Sequence, residues 1–164
     1  MTILRESTQP AVDGRVLFSV ENDVDEYAVR TVSTDILYAL VRDRNDPGAL
    51  FVGFKAGYNQ VNHGHLDLGN FELDALGVRW ARDLGSDNYN LPDYWGRSKD
   101  ATRWTYYRLN SLSHNVCTLN DESQDVMAEA SFKKFHSQTD AAHAVVDLTS
   151  AYTPISAKSL RGIA

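Results

Sequence analysis

Disulfides, a basic face and a membrane span are all missing from this sequence, and each absence narrows what it can be. Its one cysteine, Cys117, cannot close an internal bridge, so cysteine usage leaves the compartment open. Net charge is −6, which excludes a general nucleic-acid binder, whose footprint is basic. No apolar run approaches the roughly 18 residues that span a bilayer, so no membrane partner is expected. The first residues, Met1 to Glu6, carry no long apolar stretch and do not read as a signal peptide. There is no internal repeat, low-complexity tract or Pro/Gly/Ser linker. P-loop, dinucleotide-binding, zincin and hydrolase-elbow motifs are absent too. Cys117 has no basic neighbour and reads as a buried structural thiol.

What is present is a globular composition: 43% hydrophobic and 23% charged residues. Three Trp, eight Tyr and six Phe suffice for a core or a sugar-stacking cleft. At 164 residues the chain is one domain or part of one.

The texture is mostly β. Residues 1–14 are a polar lead-in, and Val16–Val20 reads as a short strand. Residues 26–43 fit either a helical stripe (Ala28, Val32, Ile36, Leu40) or strands. Asn45 to Gly48 has turn chemistry. Leu50–Phe54 is a strand. Phe71, Leu73 and Ala75 alternate with polar partners, Leu76-Gly77 turns, and Val78–Asp83 returns as a hairpin arm. Residues 84–101 form a long Gly-, Asn- and Asp-rich loop, a frequent place for function. Strands are expected at 102–109, 114–119, 128–137 and 141–148. Several short strands with turn signals predict an antiparallel β-sandwich. The last residues, Leu160 to Ala164, read as a strand cut short.

Chemistry concentrates in Asn62-His63-Gly64-His65-Leu66-Asp67-Leu68-Gly69. On a strand, His63 and His65 point to one face, a common start to a metal site. The plainer reading is a pair of backbone-bonded polar histidines. Asp83 ends the returning arm and is brought back towards His65; alternatively it caps the Gly85 or Ser86 backbone. His114, opening another strand, supplies a third donor. His65, Asp83 and His114 together make two nitrogens and an oxygen, with one tetrahedral position left for water. His136 and His143 have no evident partners and read as surface or packing residues. Trp95, Arg97, Lys99, Arg103, Trp104, Tyr106, Tyr107 and Arg108 concentrate aromatics and cations in an otherwise acidic chain. Aromatic faces stack on sugars and Arg forks bind carboxylate or sulfate, although Trp104 and Tyr106 fit equally well as core residues.

At these residues the sequence resembles the heparinase II/III-like polysaccharide lyases. The resemblance runs from about Asp46 to Gly162. It is carried by ALFVGFKAGYNQVNHGHLDLGNFELDALGVRWARDLGSDNYN, by RWTYYRLNSLSHN and by the DLTSAY segment, taken as a strand. It implies an all-β fold of stacked antiparallel sheets, the C-terminal domain of a two-domain lyase. Residues 1–164 then form a single partial β domain, with 1–45 an N-terminal portion outside the resemblance. The helical (α/α) toroid that precedes this domain in complete members is expected to be missing.

The resemblance also assigns roles. His63 is the catalytic histidine facing substrate. His65, Asp83 and His114 hold a structural zinc. Tyr94 assists as acid or base, with Tyr89 the runner-up. Trp95, Arg97 and Arg103 are expected to bind substrate, an acidic, uronate-containing polysaccharide cleaved by β-elimination in the periplasm or outside the cell. Two other classes remain open on the residues alone. A cupin-like metalloenzyme would use the same histidines in a closed barrel. A non-catalytic carbohydrate-binding module would use Trp95 and Trp104 as stacking platforms.

Overall fold

The computed structural model describes residues 5–6, 18–19, 26–33, 36–42, 50–137 and 142–164. The lead-in over 1–14, apart from Arg5–Glu6, and the turn at Asn45 to Gly48 lie outside the described residues. Ten strands follow in chain order: β1 Arg5–Glu6, β2 Phe18–Ser19, β3 Glu26–Ser33, β4 Ile36–Arg42, β5 Phe51–Tyr58, β6 Phe71–Ala75, β7 Val78–Ala81, β8 Glu129–Ser137, β9 Ala142–Asp147 and β10 Leu160–Ile163. The ambiguous stretch 26–43 is thus two strands and not a helix. Among the described residues, no helix is long and apolar enough to cross a membrane.

All pairing is antiparallel. β1 and β2 form a small ribbon. The other eight strands share one hydrogen-bonded network in the order β10-β9-β8-β5-β4-β3, with β6 added to β5 and β7 to β6. The sheet forks at β5. One edge of β5 pairs with β4 from Phe51 to Gly57. The other edge holds β6 over Phe51–Phe54 and then β8 over Gly57 and Tyr58. The chain between β5 and β6 leaves through this fork, and that exit positions the site.

The alternation along β5 explains its dual use. Side chains on a strand alternate between faces. Phe54 and Ala56 enter the main core with Leu68, Ala130, Val146, Leu148 and Tyr152. Phe51, Gly53 and Lys55 point the other way and line a cleft. Phe54 meets Phe132 edge-on, with ring centres 5.9 Å apart, a favourable arrangement for aromatic quadrupoles.

The β6–β7 hairpin forms as the sequence predicts. Leu76 and Gly77 both take positive φ, 54° and 74°, the mirror-image turn that suits the twist of a two-residue hairpin. Its return arm ends at Ala81, two residues before Asp83. The strands expected at 128–137 and 141–148 are β8 and β9. Those expected at 102–109 and 114–119 are not formed. Thr102–Thr105 and Ser111–Ser113 are single 3₁₀ turns, and Leu119 contributes only an isolated bridge to Glu122. The aromatic and β-branched residues there suit a strand by type, but Arg103 and Trp104 are adjacent and both buried. Consecutive strand residues face opposite sides, so a turn serves this pattern better. The DLTSAY segment likewise ends β9 and continues as a 3₁₀ turn at Thr149–Tyr152.

Phe54→Ala should lower unfolding free energy by about 3–5 kcal/mol, the usual cost of emptying a buried aromatic position. Urea denaturation measures it; an unchanged midpoint would place Phe54 outside the core.

Candidate active site and metal centre

The segment expected as a strand carrying both histidines is irregular instead. His63 takes φ 59°, in the left-handed region, so His63 and His65 do not share a strand face. Such a conformation costs a non-glycine residue about 1–2 kcal/mol and needs support from its surroundings. Gly64 is required next to it, because a Cβ there would collide with the Asn59 carbonyl oxygen.

The support comes from later in the chain. Arg103 Nη2 donates to the Gly64 carbonyl at 2.7 Å. Ser111 Oγ donates to the Leu66 carbonyl at 2.6 Å, and the Leu66 amide donates to the Leu109 carbonyl. The Gln124 side chain clamps Leu68 from both sides, accepting from its N–H at 2.9 Å and donating to its carbonyl at 2.8 Å. Arg103, Ser111 and Gln124 are all buried. A backbone without strand partners thereby keeps its hydrogen bonds away from water.

A cleft of about 450 Å³ opens on this segment, and His63, His65, Asp67 and Asp83 all line it. Asp83 is bound on three sides: His114 Nδ1 meets its Oδ2 at 2.6 Å, Asn70 Nδ2 donates to Oδ2 at 2.7 Å, and the Gly85 N–H donates to Oδ1 at 2.7 Å. Burial alone would push its carboxyl up, but the hydrogen bonds from His114, Gly85 and Asn70 outweigh it and hold the group down at about 2. The capping and ligand readings of Asp83 are therefore compatible, since its two oxygens divide the work. Burial also lowers His65 to about 4; the Asp67 charge opposes this, and His114 adds to it. His65 is thus neutral at pH 7, the form in which imidazole ligates metals.

The ring centres of His65 and His114 are 5.2 Å apart. Two imidazoles sharing one tetrahedral metal at about 2.0–2.1 Å have centres separated by about 5 Å. The set with ligand atoms mutually within 4.8 Å is Asp67, Asp83 and His114. Two of the three expected ligands, Asp83 and His114, are in that set and Asp67 joins them; His65, with its ring beside that of His114, is not in it. The donor types suit a divalent cation, with His114 turning Nδ1 towards Asp83.

His63 is exposed and turns away from this group. Its ring lies 5.0 Å from Trp95 and 6.0 Å from Tyr89. Tyr89, Tyr94 and Trp95 pack mutually at 5.1 Å. Burial separates the two tyrosines. Tyr94 is only 2% exposed, and burial raises its hydroxyl pKa, so it supports the shelf without facing it. Tyr89, 46% exposed, is the tyrosine that a ligand can touch. Trp95 is equally open, and exposed Arg97 donates to Asn62 Oδ1 beside His63.

Arg103 and Trp104 require correction. Arg103 is 2% exposed, with its guanidinium 4.5 Å from the Trp104 ring centre and 5.5 Å from that of Tyr94. It is a strut for the histidine segment, with almost no surface open to a ligand. Trp104 is buried, with its N–H on the Ser98 carbonyl, and offers no stacking platform. Cys117 is exposed rather than buried. His136 and His143, read as unpartnered, face each other across β8 and β9 with ring centres 5.3 Å apart. Sequence reasoning passed over Lys55, Asp67 and Gln124. Asp67 stood two residues beyond His65 in the quoted segment; Lys55 and Gln124 carried no local signal.

The family model for the heparinase II/III-like C-terminal domain matches residues 35–155. The chain belongs to that family. No curated protein sequence matches it. Among solved structures, it is similar to a heparinase III at TM-score 0.63 and 18% identity, covering 93% of this chain and 21% of that one. A second heparinase III gives 0.58 and 14%, covering 88% and 21%. A heparan sulfate lyase mutant from Pedobacter heparinus gives 0.60 and 17%, covering 93% and 21%. At these identities the likeness is one of fold, and the chain spans about a fifth of the length of each. Membership in this family sets the cupin-like reading aside.

Two outcomes are expected of this site. Arg103→Met should destabilise the chain by about 1.5–3 kcal/mol, the worth of a buried hydrogen bond from a charged group, and speed amide exchange near Gly64. Unaltered exchange there would remove Arg103 from the support. Asp83, held at about 2 against an ordinary 3.8, stabilises the fold fully above about pH 4. That contribution is lost as pH falls from 3.8 through 2. In chelator-treated protein, Asp83→Asn should flatten the acid limb of stability over this window; a superimposable limb would refute the assignment.

Proposed function

We propose that this chain is the β domain of a polysaccharide lyase that cleaves an acidic, uronate-containing polymer by β-elimination. The observation carrying the proposal is His63. It stands exposed at the cleft, against Tyr89 and Trp95, in a chain of the heparinase II/III-like C-terminal family. The names of the similar solved structures, heparinase III and heparan sulfate lyase, agree with that substrate class.

In β-elimination a base removes the C5 proton of the uronate and the 4-O-glycosidic oxygen leaves with a proton from an acid. His63 and Tyr89 take these proton-transfer roles here, replacing the buried Tyr94. General acid–base groups of this kind contribute about 10²–10⁴-fold. Trp95 offers a face for sugar stacking, and Arg97 a fork for carboxylate or sulfate. The C5 proton is a weak acid beside an ionised carboxylate, so neutralising that carboxylate is the main electrostatic task. The cleft described here is lined by carboxylates. The neutralising groups therefore belong to a second wall, which we assign to an α/α toroid domain, as the resemblance implies. A zinc ion held by His65, Asp83 and His114 would fix the cleft floor, a structural duty. The whole protein would work in the periplasm or outside the cell, where polymeric substrates are met.

In a protein uniting this chain with its toroid, His63→Ala should depress formation of unsaturated uronate, followed by ultraviolet absorbance, by about 10²-fold or more while zinc is retained. His65→Ala should lose both. Zinc loss in His63→Ala would mean that the two roles are exchanged. The 164-residue chain alone should show little turnover on heparin-like, chondroitin-like or alginate-like polymers; robust turnover would overturn the two-wall proposal.

A further inference from the structure

The cleft carries a charge imbalance. Asp67, Glu72 and Asp83 line it against one cation, Lys55. Lys55 Nζ bonds Asp67 Oδ1, and both residues are buried. A buried ion pair bears a desolvation cost that its own attraction only partly offsets. Lys55 also engages just one of the two carboxylate oxygens. Asp67 stands with Asp83 and His114 in the set whose ligand atoms lie mutually within 4.8 Å. The His114 side chain is wholly enclosed, and the nitrogen it turns towards Asp83 is Nδ1, 2.6 Å from Oδ2. Hard carboxylate oxygens and an imidazole nitrogen together suit a divalent cation, and a charge of +2 would balance the carboxylates that Lys55 leaves uncompensated.

We infer that Asp67 is a further ligand of the metal, added to His65, Asp83 and His114, and that Lys55 is the counter-charge holding Asp67 when the metal is absent. The inference rests on the zinc reading above. Lys55 and the metal draw on the same carboxylate, so the ammonium opposes metal binding. Lys55 sits at the cleft-facing end of the β5 alternation, and Asp67 follows His65 by two residues. The competition is thus built from the strand and the loop that leaves it.

The test uses the full chain as wild type, Lys55→Met, and the double variant Lys55→Met/Asp67→Asn, which replaces the pair by neutral groups of similar size. Zinc affinity is read by calorimetry on chelator-treated protein and ligand field by the visible spectrum of bound cobalt(II). Lys55→Met should bind zinc about tenfold tighter than wild type. The double variant should bind about 10–100-fold weaker than Lys55→Met, with shifted cobalt bands. Equal zinc affinities and superimposable cobalt spectra for the two variants would overturn the role of Asp67. If circular dichroism shows Lys55→Met unfolded without metal, wild type and double variant are compared instead. Shifted cobalt bands in the double variant then support the inference, and superimposable spectra of the two overturn it. Absence of zinc binding in wild type would remove the zinc reading and this inference together, whereas wild-type binding indifferent to Asp67 removes only the latter.

Discussion

A short run of backbone with no strand partners, Gly64 to Leu68, holds every other part of the cleft in relation, and buried polar side chains hold it. Arg103, Ser111 and Gln124 take its carbonyls and one of its amides at 2.6 to 2.9 Å. In a dry interior an unmade backbone hydrogen bond costs far more than a made one gains, so these three side chains permit the irregular path at all. The path in turn sends His63 outward to the aromatic shelf and His65 inward beside His114. A regular strand would have put both imidazoles on one face and merged two environments that the protein keeps apart.

β5 supplies the second constraint. Its alternating side chains place Phe54 and Ala56 in the core and Lys55 in the cleft, while its forked edge lets the chain leave between β6 and β8. The β6–β7 hairpin then returns Asp83 to the same place. There the carboxylate collects three hydrogen bonds and stays ionised despite its burial. The metal-type donors meet because a core strand, a hairpin and a 3₁₀ turn ending at His114 converge there. Each is held by contacts that do not involve the donors themselves.

The electrostatics of the two regions differ in sign. The cleft floor is rich in carboxylate, with Lys55 its lone cation among the lining residues, whereas the shelf of His63, Tyr89 and Trp95 has Arg97 at its side. On the proposed lyase reading, an acidic sugar would be repelled by the first and accommodated by the second, and charge neutralisation would fall to a facing surface. The aromatics are stacked in order: Tyr94, buried over Arg103, backs the exposed pair of Tyr89 and Trp95.

Local pattern alone determined a good part of this. Period-two alternation and a Leu-Gly turn specify the β6–β7 hairpin, because side-chain facing and positive φ are properties of adjacent residues. Strands β8 and β9 are legible for the same reason. The grouping of Asp83 with His114 followed from the hairpin geometry and the resemblance. Tertiary structure decided the rest. Arg103 and Trp104 looked like surface chemistry by residue type, yet both are buried, since a guanidinium packed on the nearby Trp104 and Tyr94 rings is satisfied there only when a distant segment supplies the Gly64 carbonyl. The 102–119 stretch closes local turns instead of strand ladders, and Arg103, Leu109 and Ser111 reach from it to the histidine segment. Tyr89 is open and Tyr94 covered because exposure depends on what packs above a side chain. Lys55, Asp67 and Gln124 gained their meaning from partners 12 and 56 residues away, separations over which no periodicity in the chain carries information.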